Sequence, residues 1–344
     1  MFKLDMTDYD QHIYNSELMD FLPDKMIDFH THIGKASFEA QGKSNGGSTW
    51  TRFLSDELTV ENLNEGYLQL FPKQQVVPLV FGDCVHNIRQ VNDYTCSAGV
   101  MHQFPTLYRT SYDMEPEWLE QEINSRGFLG LKPYLSNCPP YIPVNELRIF
   151  DFLPEKHLEV ANRNGWIVML HIPRSARLKD ALNLAQIMQI EEAYPNVKLV
   201  VAHIGRAYSR EDVGDAFTIL GNTKNLVFDF TANLCDDAIE ACLEAVGTDR
   251  LLFGSDLPIA VMRMYRIVDN GTYYNVVPKG LYGDMTGEPH MIEKENNQIT
   301  LMIYEQLLAF KRVAQKMNLT EQQIEAVLYG NAKRILNETG WNYI

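Results

Sequence analysis

The chain has 344 residues, with 30 Lys and Arg against 45 Asp and Glu, and a formal net charge of −15. With 45 % hydrophobic and 22 % charged residues it can build a sizeable core, which excludes disorder as its main state. Its acidity argues against general binding to nucleic acid or to anionic membrane surfaces, both of which need a positive field.

The first residues, MFKLDMTDYDQHIYNSE, are polar and acidic and lack the apolar stretch of a signal peptide. Dense apolar runs that each end in a polar residue then recur at 26–32, 76–83, 106–112, 128–135, 166–172, 198–205, 225–231 and 250–256. Several, such as WIVMLH and KLVVAH, are apolar without alternation, the pattern of strands buried on both faces of a parallel sheet. Amphipathic segments lie between them. Residues 115–127 open acidic and close on Gly127. Residues 180–195 carry apolar side chains at near-helical spacing before Pro195, and 241–247 close on Gly247.

Eight such strand–helix units predict an α/β fold, a closed (β/α)8 TIM barrel. Length alone suggests about two domains. The strand count instead predicts one domain over residues 1–344, with a barrel core at about 26–338. Two stretches interrupt the rhythm. Residues 34–50, rich in Gly, Ser and Lys, follow the first strand, and the polar, aromatic-rich residues 268–298 follow the eighth. Both fall where loops leave the C-terminal face of a barrel, so they predict lids or binding loops, with an oligomer contact or plain disorder as the alternative. Residues 299–317 and 320–338 read as closing helices. The five cysteines, Cys84, Cys96, Cys138, Cys235 and Cys242, are odd in number and have no C-x-x-C pair. They predict no disulfide framework and a reducing cytoplasm. No run of about 18 apolar residues is present, so no membrane span is expected.

The polar residues at the strand ends carry the chemistry. His30 and His32 are two apart on the first strand and share a face. His171 ends the fifth strand, His203 the sixth and Asp256 the eighth. A barrel gathers its C-terminal strand ends into one ring, so these five residues are expected to converge. Imidazoles with a carboxylate are the donors of a divalent-metal site. Asp28, in the same D-F-H-T-H string, is a candidate orienter of that site. Asp229 reads either as a pocket residue or as a buried strand acid. His86, His102 and His290 could supplement the site from loops, while His12 and His157 read as surface or packing residues. Cys84 has no partner that marks it as a nucleophile. There is no Gly-rich phosphate loop, no G-x-S-x-G elbow and no basic–aromatic nucleic-acid pattern.

Basic residues cluster at the same strand ends: Lys35, Arg109, Arg174 and Arg206. Guanidinium forks match carboxylates bidentately, so they predict a small anionic substrate with at least one carboxylate. The alternative for each arginine is a pair with a loop or helix acid.

The strings IDFHTHIG (27–34), GFLGLKPY (127–134), YPNVKLVVAHIG (194–205), RLLFGSDLP (250–258) and LYGNAKRIL (328–336) resemble, in order and spacing, those of the amidohydrolase superfamily, specifically the ACMSD-like amidohydrolase 2 family. The resemblance runs from residue 26 to the last helix. It implies a metal-dependent hydrolase of TIM-barrel fold. Carried over position by position, His30, His32, His171 and Asp256 would hold one divalent metal, usually zinc in this family, with manganese or another ion as the alternative. Asp256 would also act as general base, and His203 would face the substrate and polarise or protonate it. Three neutral imidazoles and one carboxylate leave room for a water whose pKa the metal lowers towards ~7.

Lys132, in L-K-P-Y, stays open. In binuclear relatives a fourth-strand lysine is carbamylated and bridges two metals. In mononuclear ACMSD-like relatives such a lysine binds substrate or a buried partner. The expected substrate-binding residues are Lys132, Arg174, Arg206 and Arg109. The expected reaction is hydrolysis of an amide, ester or lactone of a small carboxylated molecule by metal-bound hydroxide. Non-oxidative decarboxylation or hydration on the same scaffold is the alternative, and a non-catalytic binding protein a third. A homodimer fits the resemblance, although no interface signature stands out.

Overall fold

The computed structural model describes residues 4–40, 55, 57–296 and 298–343. Eight parallel strands pair in sequence order: β1 (Lys25–Ile33), β2 (Gln75–Gly82), β3 (Thr106–Thr110), β4 (Gly130–Pro133), β5 (Ile167–Leu170), β6 (Lys198–Val201), β7 (Val227–Asp229) and β8 (Leu251–Leu252). The ring closes between its last and first members. Phe29 N donates to Phe253 O at 2.9 Å, Asp256 N to His30 O at 2.9 Å and His32 N to Leu257 O at 3.0 Å. The result is the expected (β/α)8 barrel.

The strands are apolar on both faces because both faces are covered. Ile27, Phe29, Phe81, Met169, Val200 and Leu252 point inward and form one cluster with Ala332, Ile335 and Leu336 of the last helix. That helix, Asn331–Glu338, therefore plugs the barrel at the end opposite the strand tips. The alternate residues, such as Met26, Val80, Leu131, Val168, Val201 and Phe228, pack outward against the ring of helices.

The helices start and stop where local chemistry dictates. Asp180 accepts from Leu182 N and Asn183 N and so begins the helix Ala181–Ala193, which ends before Pro195. The helix Pro116–Arg126 has proline in its first turn and stops at Gly127, whose φ of 72° suits glycine. The closing segments form the helices Met302–Lys316, Glu321–Glu325 and Asn331–Glu338.

The segment after the eighth strand departs from the loop expected for it. It folds into an antiparallel hairpin, β9 (Tyr265–Asp269) and β10 (Thr272–Pro278), with β11 (Met291–Lys294) pairing parallel to β10. The turn is Asn270–Gly271, with φ of 47° and 77°. Two consecutive positive φ values are what a tight hairpin of this hand needs, and Asn-Gly supplies them at least cost. Of the stretch expected as a loop after β1, residues 41–50 lie outside the described residues. All five cysteines are unpaired. Among the described residues no helix is long and apolar enough to cross a membrane.

Candidate metal centre

The strand tips converge as the barrel geometry requires. One donor atom each from His30, His203 and Asp256 lies within 4.8 Å of the other two, and all three residues are buried. His32 Nε2 is 2.8 Å from Asp256 Oδ1, and His30 Nε2 is 3.7 Å from the same oxygen. His171 is next to His203, with ring centroids 5.2 Å apart. The five residues are thus one group. The sequence assigned the metal to His30, His32, His171 and Asp256, and the substrate to His203. The geometry brings His203 into the tightest trio and leaves His171 beside it.

Asp229 organises two of these histidines. It is fully buried. Its Oδ2 accepts from His30 Nδ1 at 3.0 Å, and its Oδ1 accepts from His203 N at 2.7 Å and from Thr231 N at 3.2 Å. Asp28 acts on the backbone instead. Its Oδ1 accepts from His30 N and Ser255 N, and its Oδ2 accepts from Tyr67 Oη at 2.7 Å. Burial raises its pKa, and those hydrogen bonds oppose the rise.

The backbone is strained at the tips. His203, Ile204, Gly205 and Arg206 have φ between 48° and 60°, a left-handed turn that non-glycine residues resist. Asp256 has a φ of 68°. Such residues cost roughly 1–3 kcal/mol each and persist only where the surroundings hold them. At Gly205 there is a second constraint, since a Cβ would lie 2.4 Å from Leu178 Cδ1.

The protonation pattern can be read from acceptors that cannot donate. Asp229 takes the Nδ1 proton of His30 and Thr231 O takes that of His203, at 2.9 Å. Both rings therefore present an Nε2 lone pair. Tyr134 Oη has a single proton and gives it to Gly82 O at 2.9 Å. It must then accept from His32 Nδ1, also at 2.9 Å, which leaves His32 Nε2 as a lone pair against the Asp256 carboxylate. That contact is stable only with a cation, a proton or a metal ion, at the two atoms. His171 Nδ1 is buried without a hydrogen-bond partner among the described residues.

The electrostatics agree. Burial, then the charge of Lys132, holds His30 well below its ordinary pKa, while burial and Arg206 do the same to His171, so both are neutral ligand forms. Burial opposes ionisation of Asp256, yet the His32 contact, which needs a cation between its two atoms, and the neighbouring histidines hold the carboxyl well below the usual range. The neutral imidazoles of His30 and His171 beside an ionised carboxylate fit a divalent cation.

A family model described as Amidohydrolase matches residues 113–337, more than half of the chain. The chain belongs to the amidohydrolase 2 family. The matched span holds β4 to β8 with His171, His203 and Asp256, whereas the H-x-H string of β1 lies before it. No curated protein matches the chain. Solved structures do. A probable 2-pyrone-4,6-dicarboxylic acid hydrolase from Acinetobacter baumannii, with citric acid bound, superposes with a TM-score of 0.57 at 16 % identity, covering 91 % of this chain and 99 % of that one. An amidohydrolase from Burkholderia multivorans with bound zinc gives 0.59 at 13 % identity, covering 91 % and 99 %. A 2,6-dihydroxybenzoate decarboxylase in complex with 2,6-dihydroxybenzoate gives 0.55 at 11 % identity, covering 92 % and 100 %. At these identities the likeness is one of fold.

The remaining expected site residues of this amidohydrolase 2 chain divide. Lys132 is buried in the site, with Nζ 3.3 Å from His30 Nε2 and 4.5 Å from the Phe81 ring centre. Burial pushes its amine down to about 8, with Asp256 and Asp229 opposing. Arg206 is half-buried and donates Nη1 to Ile172 O and Arg174 O at 3.4 and 3.3 Å. Arg174 takes the alternative left open for it, since its Nε meets both oxygens of Asp180 at 3.0 Å. Arg109 departs from the expected substrate contact. It is fully buried, and its guanidinium donates to Asp83 O, His86 O, Cys84 O and Asn137 Oδ1. It clamps the loop after β2 in place.

Three features escaped the sequence. Tyr134, two residues beyond Lys132, orients His32, and only the L-K-P-Y string pointed to that place. Tyr67 reaches Asp28 from a helix with no visible motif. The Asn270–Gly271 dipeptide between apolar runs was a readable hairpin signal, and it brings Arg266 and Tyr273 over the mouth of the barrel.

Proposed function

We propose that the protein is a metal-dependent hydrolase that opens an amide, ester or lactone bond of a small carboxylated molecule. The observation that carries this reading is the convergence of His30, His203 and Asp256 within 4.8 Å, with His32 on the same Asp256 oxygen. These residues, with His171 beside them, would hold one divalent ion. Zinc is the first metal to test, because imidazole and carboxylate donors suit it and a zinc-bound relative shares the fold. Such an ion supplies a Lewis acid and an activated water at neutral pH.

The chain's own residues supply the rest. Asp256 is ionised at neutral pH, so its carboxylate can take a proton from the attacking water and pass it to the leaving group. Asp229 keeps the His30 ring, and the Thr231 carbonyl the His203 ring, in the tautomer that faces inward. The buried amine of Lys132 offers a cationic partner to a carboxylate or to a developing oxyanion beside His30.

Non-oxidative decarboxylation is the second reading. It is favoured by the same Lys132 amine, which can pair with a carboxylate held at the metal centre, and a decarboxylase shares the fold. The test is metal analysis of the purified chain and of His30→Ala, followed by a panel of lactones, amides and aromatic or unsaturated carboxylates. About one equivalent of metal in the wild type, its loss in the variant, and water uptake without CO2 release are expected. Absence of metal uptake would sink the proposal. CO2 release would replace hydrolysis with the lyase reading, and two equivalents of metal would point to a carbamylated Lys132.

A further inference from the structure

The mouth of the barrel holds a second group of side chains that the metal chemistry leaves unused. Arg177 follows β5, Arg206 and Tyr208 follow β6, and Arg266 and Tyr273 come from β9 and β10. The β9–β10 hairpin is tied down at both ends. Ser209 Oγ donates to Gly271 O at 3.2 Å, and Arg266 Nη1 donates to Ala232 O, just past β7, at 3.2 Å.

The rings of Tyr208 and Tyr273 meet edge to face, with centroids 5.0 Å apart. The Arg266 guanidinium lies 4.4 Å from the Tyr208 ring centre and 5.1 Å from that of Tyr273. Arg177 lies 4.5 Å from the Tyr273 ring centre. His290 stacks on Tyr273 at 4.2 Å with planes 6° apart and donates Nδ1–H to the Tyr273 carbonyl. A guanidinium stacked on a ring is held in one plane while its edge N–H groups stay available to a ligand.

The charges at this wall do not balance. Arg177 pairs with Asp212. Among the described residues Arg206 and Arg266 have no carboxylate partner; Arg206 meets two carbonyls, and Arg266 meets Asn275 Oδ1 and Ala232 O. Desolvated cations without a counter-charge are costly, and this chain has acids to spare, so their absence here favours an incoming anion. The Tyr208 hydroxyl makes no hydrogen bond to a described residue. Burial, helped by Tyr273 and Asp256, pushes it up to about 12 against Arg206 and Arg266, so it remains a neutral donor near the metal centre.

We propose that Arg206, Tyr208 and Arg266 form an anion subsite for a carboxylate remote from the bond broken at the metal centre, so that the hairpin selects substrates with two anionic ends. This rests on the metal-centre reading, which accounts for the other end.

The test is calorimetric titration of the metal-loaded full chain with succinate, glutarate and adipate against butyrate, pentanoate and hexanoate. At least one dicarboxylate is expected to bind about tenfold or more tightly than its monocarboxylate counterpart, the worth of one charge-assisted hydrogen bond or more. Arg266→Gln and Tyr208→Phe should each remove that advantage. Arg148→Gln, which alters an exposed arginine paired with Asp151, should keep it. A wild type without the advantage, or variants that retain it, would overturn the subsite. If Arg266→Gln fails to fold, Tyr208→Phe decides, since it removes one hydroxyl that holds no structure. Metal content of the same samples separates the two proposals. A fully loaded protein with no dicarboxylate preference overturns the subsite alone, whereas a protein that takes up no metal overturns the metal-centre reading and the subsite with it.

Discussion

Asp229→Asn is the sharpest perturbation of the site, because it changes one proton and almost no volume. In the wild type Oδ1 accepts from His203 N and Thr231 N, and Oδ2 accepts from His30 Nδ1 at 3.0 Å. The asparagine keeps its oxygen on the two backbone donors, since the opposite flip would lose two contacts in place of one. Its amide nitrogen then faces His30 Nδ1–H, donor against donor. The ring escapes by moving its proton to Nε2, the atom that faces Lys132 at 3.3 Å and Asp256 at 3.7 Å. In that tautomer Nε2 has no lone pair for a metal. Forcing the ring back forfeits a hydrogen bond to a charged acceptor, about 1.5–3 kcal/mol, which is roughly 10–100-fold in metal affinity. The assay is competition for the metal against a chelator of known affinity, with a thermal melt of each form as a control for folding. Metal affinity within twofold of wild type in a folded Asp229→Asn protein would refute the assignment of His30 Nε2 as a donor.

Two further outcomes follow from the same hydrogen-bond map. Arg109→Gln strips the carbonyls of residues 83, 84 and 86 of their buried donor, at about 1–3 kcal/mol per orphaned group, so a lowered urea midpoint is expected. If stability were unchanged and only ligand affinity fell, Arg109 would be a substrate residue after all. His157, far from the metal centre, donates Nε2–H to Met114 O, and burial lowers its pKa. Its native pKa lies below the unfolded value of about 6.5, so the unfolded chain binds the extra proton first. The neutral ring's full stability is present above about pH 6.5 and is lost as the pH falls below it, and His157→Gln should flatten that part of the urea-midpoint profile. An unchanged pH slope would show that His157 is not its source.

The barrel and its donor residues were legible because both follow from local pattern. Strands apolar on both faces read as such in any context, and all eight appear close to the expected positions. His30 and His32 share a face because strand side chains alternate, and the other donors stand where apolar runs end. The arginines were less legible. Whether a guanidinium meets a substrate or a protein group depends on what folds against it. Arg109 meets the carbonyls of its own neighbouring loop, Arg174 meets the acid that caps the next helix, and Arg206 meets no acid among the described residues.

Local pattern carries the repeated strand–helix unit, the closed barrel and the set of five residues at its mouth, since periodicity and strand-end chemistry are written residue by residue. The packing of distant segments sets how those five are arranged. The lone pairs of His30, His32 and His203 are aimed by Asp229, Tyr134 and the Thr231 carbonyl, which are remote from them in the chain or separated by a change of strand. The same packing decided that the polar stretch after β8 is a hairpin bringing Arg266 and Tyr273 beside Tyr208. Side-chain direction and charge balance arise from contacts between distant segments, and no local pattern encodes them.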